Sequence, residues 1–131
     1  MGLTLFKSLR LSSPPCVAFI GAGGKTTAMF HLASEFSPPV LVTSTTHLGT
    51  WQIPLADHHF VATSPNELSD IKFEGVTLIT GPIREDNRTG SLNKGLINWL
   101  RAYSIRNNIP LLIEADGAQQ KSIKAPRDYE P

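Results

Sequence analysis

The feature that most narrows the folds open to this chain is a continuous apolar run, Cys16-Val17-Ala18-Phe19-Ile20, passing directly into Gly21-Ala22-Gly23-Gly24-Lys25-Thr26-Thr27. An apolar run of strand length without polar alternation marks a strand buried on both faces, as inside a parallel sheet. Parallel strands need a crossover, and Met29, Phe30, Leu32, Ala33 and Phe36 supply the apolar stripe of a helix that ends near Ser37-Pro38-Pro39. Between strand and helix, the glycines let the backbone curl and approach an anion closely. A helix beginning at Lys25 aims its first N–H groups and the positive end of its dipole at the same point. That point suits a phosphate, with Lys25 reaching outer phosphates and the Thr26 hydroxyl helping to hold Mg²⁺.

The remainder of the chain keeps alternating. Val40-Leu41-Val42 is a second strand, followed by the polar tract Thr43-Ser44-Thr45-Thr46-His47. His59 to Ala62 and Val76 to Ile79 are shorter strand candidates, and Ser64-Pro65-Asn66-Glu67 opens a helical turn between them. Residues 81 to 91 carry turn chemistry throughout and predict a surface loop or loose hairpin. Leu92, Leu96, Trp99, Leu100 and Tyr103 predict a helix from Asn93 to about Asn107, and Leu111-Leu112-Ile113 a buried strand ending in Glu114-Ala115-Asp116-Gly117. A short amphipathic helix is expected over about residues 3 to 10. Strands alternating with amphipathic helices predict an α/β fold of three layers, P-loop NTPase-like, with a mainly parallel sheet between flanking helices. The 131 residues fit one domain.

Composition removes several function classes. Twelve Lys and Arg against eleven Asp and Glu give a formal charge of +1, scattered rather than striped, so neither nucleic acid nor a membrane surface is an expected partner. Cys16 is the single cysteine, which excludes an internal disulfide and a cysteine-based zinc site and leaves it the role of a small core residue. No run approaches a membrane span and the start is too weakly apolar for a signal peptide, so a cytoplasmic location is expected.

The phosphate-loop reading has rivals. In the common pattern G-x-x-x-x-G-K-[ST], counting back from Gly24 puts Phe19 where the first glycine belongs, so that pattern is not met. A shorter form, G-x-x-G-K-T-T, is met, and it resembles the loop of the Mur ligases and folylpolyglutamate synthetases. The dinucleotide fingerprint G-x-G-x-x-G begins well at Gly21-Ala22-Gly23 but has Thr26 at its third glycine and no acid at the end of the second strand. A purely structural tight turn would not need Lys25 and two threonines at these offsets.

A triphosphate site needs a second element to hold its metal, usually an acid at the carboxyl end of a neighbouring strand. Glu114 and Asp116 are the candidates, provided that their strand lies beside the first. Thr45, Thr46 and His47 leave the second strand at the same kind of edge and are candidates for phosphate or substrate contact. His58-His59 and His31 have no ligand spacing around them and are assigned to no metal.

Taken together, residues 17 to 27, Thr43 to His47, and Glu114-Ala115-Asp116-Gly117-Ala118 with Lys124-Ala125-Pro126 and Glu130-Pro131 resemble the YqeC family. That family is described as accessory to selenium-dependent molybdenum hydroxylases. The resemblance implies a nucleotide domain of the P-loop type with Lys25, Thr26, Glu114 and Asp116 on motif positions, and it adds Lys124 and Glu130 as candidate site residues beside the loop's own nucleotide-binding candidates Gly21, Ala22, Gly23, Gly24, Lys25, Thr26 and Thr27. Members of the family are longer, so the chain reads as an amino-terminal portion.

The leading expectation is therefore an Mg²⁺-dependent ATP- or GTP-binding protein, an NTPase or nucleotide-using transferase, that assists maturation of a molybdenum hydroxylase. Lys25 and Asp116 would act on the transferring phosphoryl group, and Thr26, Glu114 and Asp116 would hold the metal. The alternatives are an ATP-dependent ligase of the Mur type and a non-catalytic, nucleotide-responsive module that docks a partner.

Overall fold

Among the described residues five strands form, and every pairing between them is parallel. They are β1 (Cys16–Phe19), β2 (Val40–Ser44), β3 (His58–Val61), β4 (Val76–Thr80) and β5 (Leu111–Glu114), in the order β1-β5-β2-β4-β3. Two helices, α1 (Lys25–Ala33) and α2 (Lys94–Asn107), and two 3₁₀ segments, Thr50–Leu55 and Pro65–Glu67, complete the regular elements of the described residues. The structure is a computed structural model that describes residues 16–20 and 24–115. The helix expected over residues 3 to 10, the loop positions Gly21, Ala22 and Gly23, and Asp116, Lys124 and Glu130 lie outside the described residues.

The strand order explains the layering. The steps β1 to β2 and β2 to β3 move across the sheet in one direction, whereas β3 to β4 and β4 to β5 move back. Crossovers of a single hand place forward and backward connections on opposite faces. Two separate cores bear this out. On one face, Met29, Phe30, Leu32 and Ala33 of α1 pack with Ile53 of the first 3₁₀ segment over Val17, Val40, Val42, Leu78 and Leu112. On the other, Leu96, Ile97 and Leu100 of α2 join Leu68 and Phe73 over Leu41, Ile79, Leu111 and Ile113. The sheet is thus covered on both sides, the three-layer α/β arrangement expected. Leu41, Val42, Leu78, Leu111, Leu112 and Ile113 are fully buried, which is why these strands read as unbroken apolar runs. Each such side chain stabilises the fold by about 1.5–3 kcal/mol relative to exposure.

Element ends differ from the sequence reading where polar groups take over. β2 runs on through Thr43 and Ser44, both buried, because the Thr43 hydroxyl donates to the Ile79 carbonyl at 2.7 Å and the Ser44 hydroxyl to that of Glu114 at 3.3 Å. α1 stops at Ala33, short of the prolines, as the Ser34 hydroxyl donates back to the His31 carbonyl. α2 begins as foreseen, with the Asn93 side chain accepting from the Leu96 N–H at 2.9 Å. Residues 81 to 91 form the loose hairpin expected, held by an isolated antiparallel bridge between Gly81 and Gly90. Among the described residues, no helix is long and apolar enough to cross a membrane.

Candidate functional site

β5 lies between β1 and β2, so the carboxyl ends of three adjacent strands converge: Phe19 pairs with Glu114, and Ser44 pairs with Glu114 from the other side. The Ala115 N–H donates to the Phe19 carbonyl at 3.0 Å, and the Thr45 N–H donates to the Glu114 carbonyl at 2.9 Å. The condition set by the sequence is met. β5 neighbours β1, and the carboxylate emerges on the edge where β1 leads toward the glycine-rich turn. In open parallel sheets, ligands bind at this edge where strand order reverses.

α1 starts at that edge from Gly24, whose φ of 68° and ψ of 0° lie in the left-handed region. Glycine meets this conformation without steric cost and brings no side chain to cap the helix. No acidic residue occupies the first turn of α1 either, so its positive end is uncompensated by its own sequence. Lys25, Thr26 and Thr27 follow, and together with Gly24 and Gln52 they line an open cleft of about 200 Å³.

Glu114 is 6% exposed, and both of its carboxylate oxygens are occupied. The Thr26 hydroxyl donates to Oε1 at 2.5 Å and the Thr46 hydroxyl to Oε2 at 3.1 Å. One residue of α1 and one of the loop after β2 therefore meet on a single carboxylate at the end of β5. Thr46 is itself fixed, with its N–H donating to the Ser44 hydroxyl oxygen at 2.9 Å and its Oγ1 lying 2.7 Å from Ser44 Oγ. Lys25 extends its ammonium to the Ala115 carbonyl at 3.1 Å, which places a positive charge at the same strand end. An ammonium has three donors, and among the described residues only this one is taken.

The other candidates from the threonine tract sit differently. Thr45 is 8% exposed and turns its hydroxyl toward the Glu114 carbonyl at 3.4 Å, supporting the strand end rather than facing the cleft. His47 points to the hairpin, its Nδ1 lying 2.8 Å from the Thr89 carbonyl. A carbonyl can only accept, so Nδ1 carries the proton. The same hairpin residue closes the loop further: the buried Thr89 accepts at Oγ1 from the Leu48 N–H at 3.0 Å and donates its own N–H to the Leu48 carbonyl at 2.7 Å.

Gln52 was not foreseen. It enters from the 3₁₀ segment Thr50–Leu55, whose apolar residues have no helical period and which contains Pro54. The available signal was the three-residue spacing from Gly49 to Gln52, because the Gln52 Oε1 accepts from the Gly49 N–H at 3.0 Å as the third residue of a capping box does. Of the other histidines, His31 lies 3.1 Å from Glu35 on the exposed side of α1, and His59 lies 2.8 Å from the Thr80 hydroxyl. Burial holds the His59 imidazole below its ordinary pKa. Cys16 packs against the α2 core, and its thiol is pushed up chiefly by burial, as suits an unreactive core residue.

Among the described residues, no three His, Cys, Asp or Glu side chains gather as a complete metal cage. What is present is one buried carboxylate with two threonine hydroxyls on it. All of these donors are oxygen. Such a set suits Mg²⁺, which is usually bound by one or two carboxylates plus waters and substrate phosphates.

Comparison with known proteins agrees with the motifs. The chain is 29% identical over 129 residues to the protein of Escherichia coli (strain K12) described as "Uncharacterized protein YqeC", an alignment covering 90% of this chain and 46% of that protein. The chain thus spans about half the length of that relative. No solved structure matches it. The family model described as YqeC protein matches residues 17–131, from β1 through the segment after β5, and the chain therefore belongs to the YqeC family.

Proposed function

We propose that this chain is a nucleotide-binding domain that holds the phosphates of ATP or GTP at the start of α1, where Thr26 and Glu114 would hold Mg²⁺. The observation that carries this reading is the hydrogen bond from Thr26, the second residue of α1, to the buried carboxylate of Glu114 on the adjoining strand. A hydroxyl at this offset from a left-handed glycine, facing an acid across the edge of a parallel sheet, is the arrangement that a phosphate-bound Mg²⁺ requires. Thr46 adds a second hydroxyl to the same carboxylate, and Asp116, two residues after Glu114, is the further acid the sequence offers.

The chain's own groups divide the work. The uncapped amides of α1 and the Lys25 ammonium neutralise phosphate charge, and they do so in a fixed arrangement that needs little reorganisation as charge develops. When bound, Mg²⁺ would supply Lewis-acid stabilisation of the phosphoryl oxygens. Glu114 is held by two hydroxyls and so stands ready as an acceptor at a defined position. These features fit an NTPase or a nucleotide-using transferase. The family resemblance supports the wider reading, a cytoplasmic accessory factor in the maturation of a selenium-dependent molybdenum hydroxylase.

Calorimetric titration with ATP and GTP, with and without Mg²⁺, tests this directly. Wild-type protein is expected to bind at least one triphosphate, and Lys25→Ala to lose that binding while its far-UV spectrum and thermal midpoint are retained. Equal affinity in Lys25→Ala would remove the assignment.

A further inference from the structure

We infer that Gln52 is a phosphate-contacting residue that reads the ligand from an element other than α1, an inference that rests on the nucleotide reading above. Among the described residues that line the cleft, Gly24, Lys25, Thr26 and Thr27 belong to the start of α1, and Gln52 comes from another element. The 3₁₀ segment that carries it is fixed on the same face of the sheet as α1, since Ile53 packs in the core that contains Met29 and Leu32.

The chemistry of the Gln52 side chain follows from the one hydrogen bond it makes among the described residues. The Gly49 N–H is a donor, so the side-chain atom that faces it must be the amide oxygen, and the distance is 3.0 Å. Its NH₂ group is thereby directed away from Gly49. Among the described residues that nitrogen has no partner. Gln52 is only partly exposed, so this donor pair is held in one orientation rather than averaged over many.

Among the described residues, the amides at the start of α1, the Lys25 ammonium and the Gln52 amide all present donors or positive charge to the cleft, and the hydroxyls of Thr26 and Thr27 can donate or accept. A ligand that satisfies the donors and the cation offers acceptors and is anionic. Phosphoryl oxygens meet both conditions. The base of a nucleotide, which carries donors as well as acceptors, meets neither as fully. Gln52 therefore belongs to the phosphate chain, and its contribution is independent of which base is attached.

Gln52→Glu separates this role from a structural one. The introduced carboxylate still accepts from the Gly49 N–H, and glutamate is itself a standard third residue of a capping box, so the fold is retained. The donor pair, however, becomes an anion facing phosphate. Calorimetry of the full chain with ATP and with inorganic tripolyphosphate is expected to show both affinities reduced about tenfold or more, at an unchanged thermal midpoint. Gln52→Ala, which removes the donor without adding charge, should weaken both by a smaller factor.

Unchanged ATP affinity in Gln52→Glu, with binding still abolished in Lys25→Ala, would overturn this inference and leave the nucleotide site standing. Weaker ATP binding with unaltered tripolyphosphate binding would move Gln52 to the sugar or base and also overturn it. Absence of triphosphate binding in the wild-type chain would overturn the site and the inference together.

Discussion

Replacing Gly24 provides a sharp test of how the site is built, because the structure separates backbone strain from steric fit at this position. Gly24 has φ 68°, and a Cβ added there would meet nothing within 4 Å. A side chain thus has room, and only the left-handed backbone opposes it. For an L-residue that conformation costs roughly 1–2 kcal/mol. Part of this is offset, since alanine reduces the conformational entropy of the unfolded chain by the equivalent of about 0.4–1 kcal/mol. Gly24→Ala is therefore expected to destabilise the protein by about 1 kcal/mol, a fall of roughly 3–5 °C in thermal midpoint for a chain of this size. Asparagine tolerates the left-handed region better than alanine despite its greater bulk, so Gly24→Asn should lose less than half as much. Urea unfolding followed by circular dichroism, with unchanged m-values, measures both. A larger loss for asparagine than for alanine would show that space, not backbone conformation, selects glycine here, and would refute the reasoning.

Two further predictions concern the parts that support the site. Thr89→Val leaves the Leu48 N–H without its partner in a buried position and should cost about 1–3 kcal/mol, measured by chemical denaturation, whereas Arg88→Ala in the exposed neighbouring position should change stability little. His59, whose folded pKa is lowered by burial, stabilises the native state in its neutral form; the unfolded chain takes up the proton first as pH falls below about 6.5, so this stabilisation is present above that pH and is lost as pH falls toward the lower folded value. Wild-type stability should accordingly decline between pH 7.5 and pH 5.5 more than that of His59→Gln, and equal declines would contradict the assignment.

The elements were legible because burial on both faces leaves an unmistakable mark: Val40 to Val42 and Leu111 to Ile113 contain no polar residue, and every one of these side chains is fully buried. Their ends were less legible. Thr43 and Ser44 look like the beginning of a loop, yet they continue β2, because buried hydroxyls find carbonyl partners in adjoining strands. A sequence does not display which carbonyls will be near. The insertion of β5 between β1 and β2 was hidden for a similar reason, being a pairing of residues as distant in the chain as Cys16 and Leu111 that only the reversal of crossover direction enforces.

Within the site, Lys25, Thr26 and Glu114 were readable as residue types at meaningful offsets, and the structure brings them to one strand end. Thr45 and Thr46 looked equivalent in the sequence. They separate in three dimensions because a residue pairing at the strand end turns one hydroxyl inward to the Glu114 backbone and lets the next reach its carboxylate. Gln52 was hidden because its segment has neither apolar period nor chemistry of its own. Its position depends on the fold of the 3₁₀ segment against α1's side of the sheet.

The central claim is that Glu114, held by Thr26 and Thr46, provides the metal end of a nucleotide site. Its most direct test is the Mg²⁺ dependence of triphosphate affinity in wild-type protein and in Glu114→Gln, which keeps the shape of the side chain and removes its charge. The account predicts that Mg²⁺ strengthens binding about tenfold or more in the wild type and has little effect in the variant. Equal enhancement by Mg²⁺ in both proteins would contradict it.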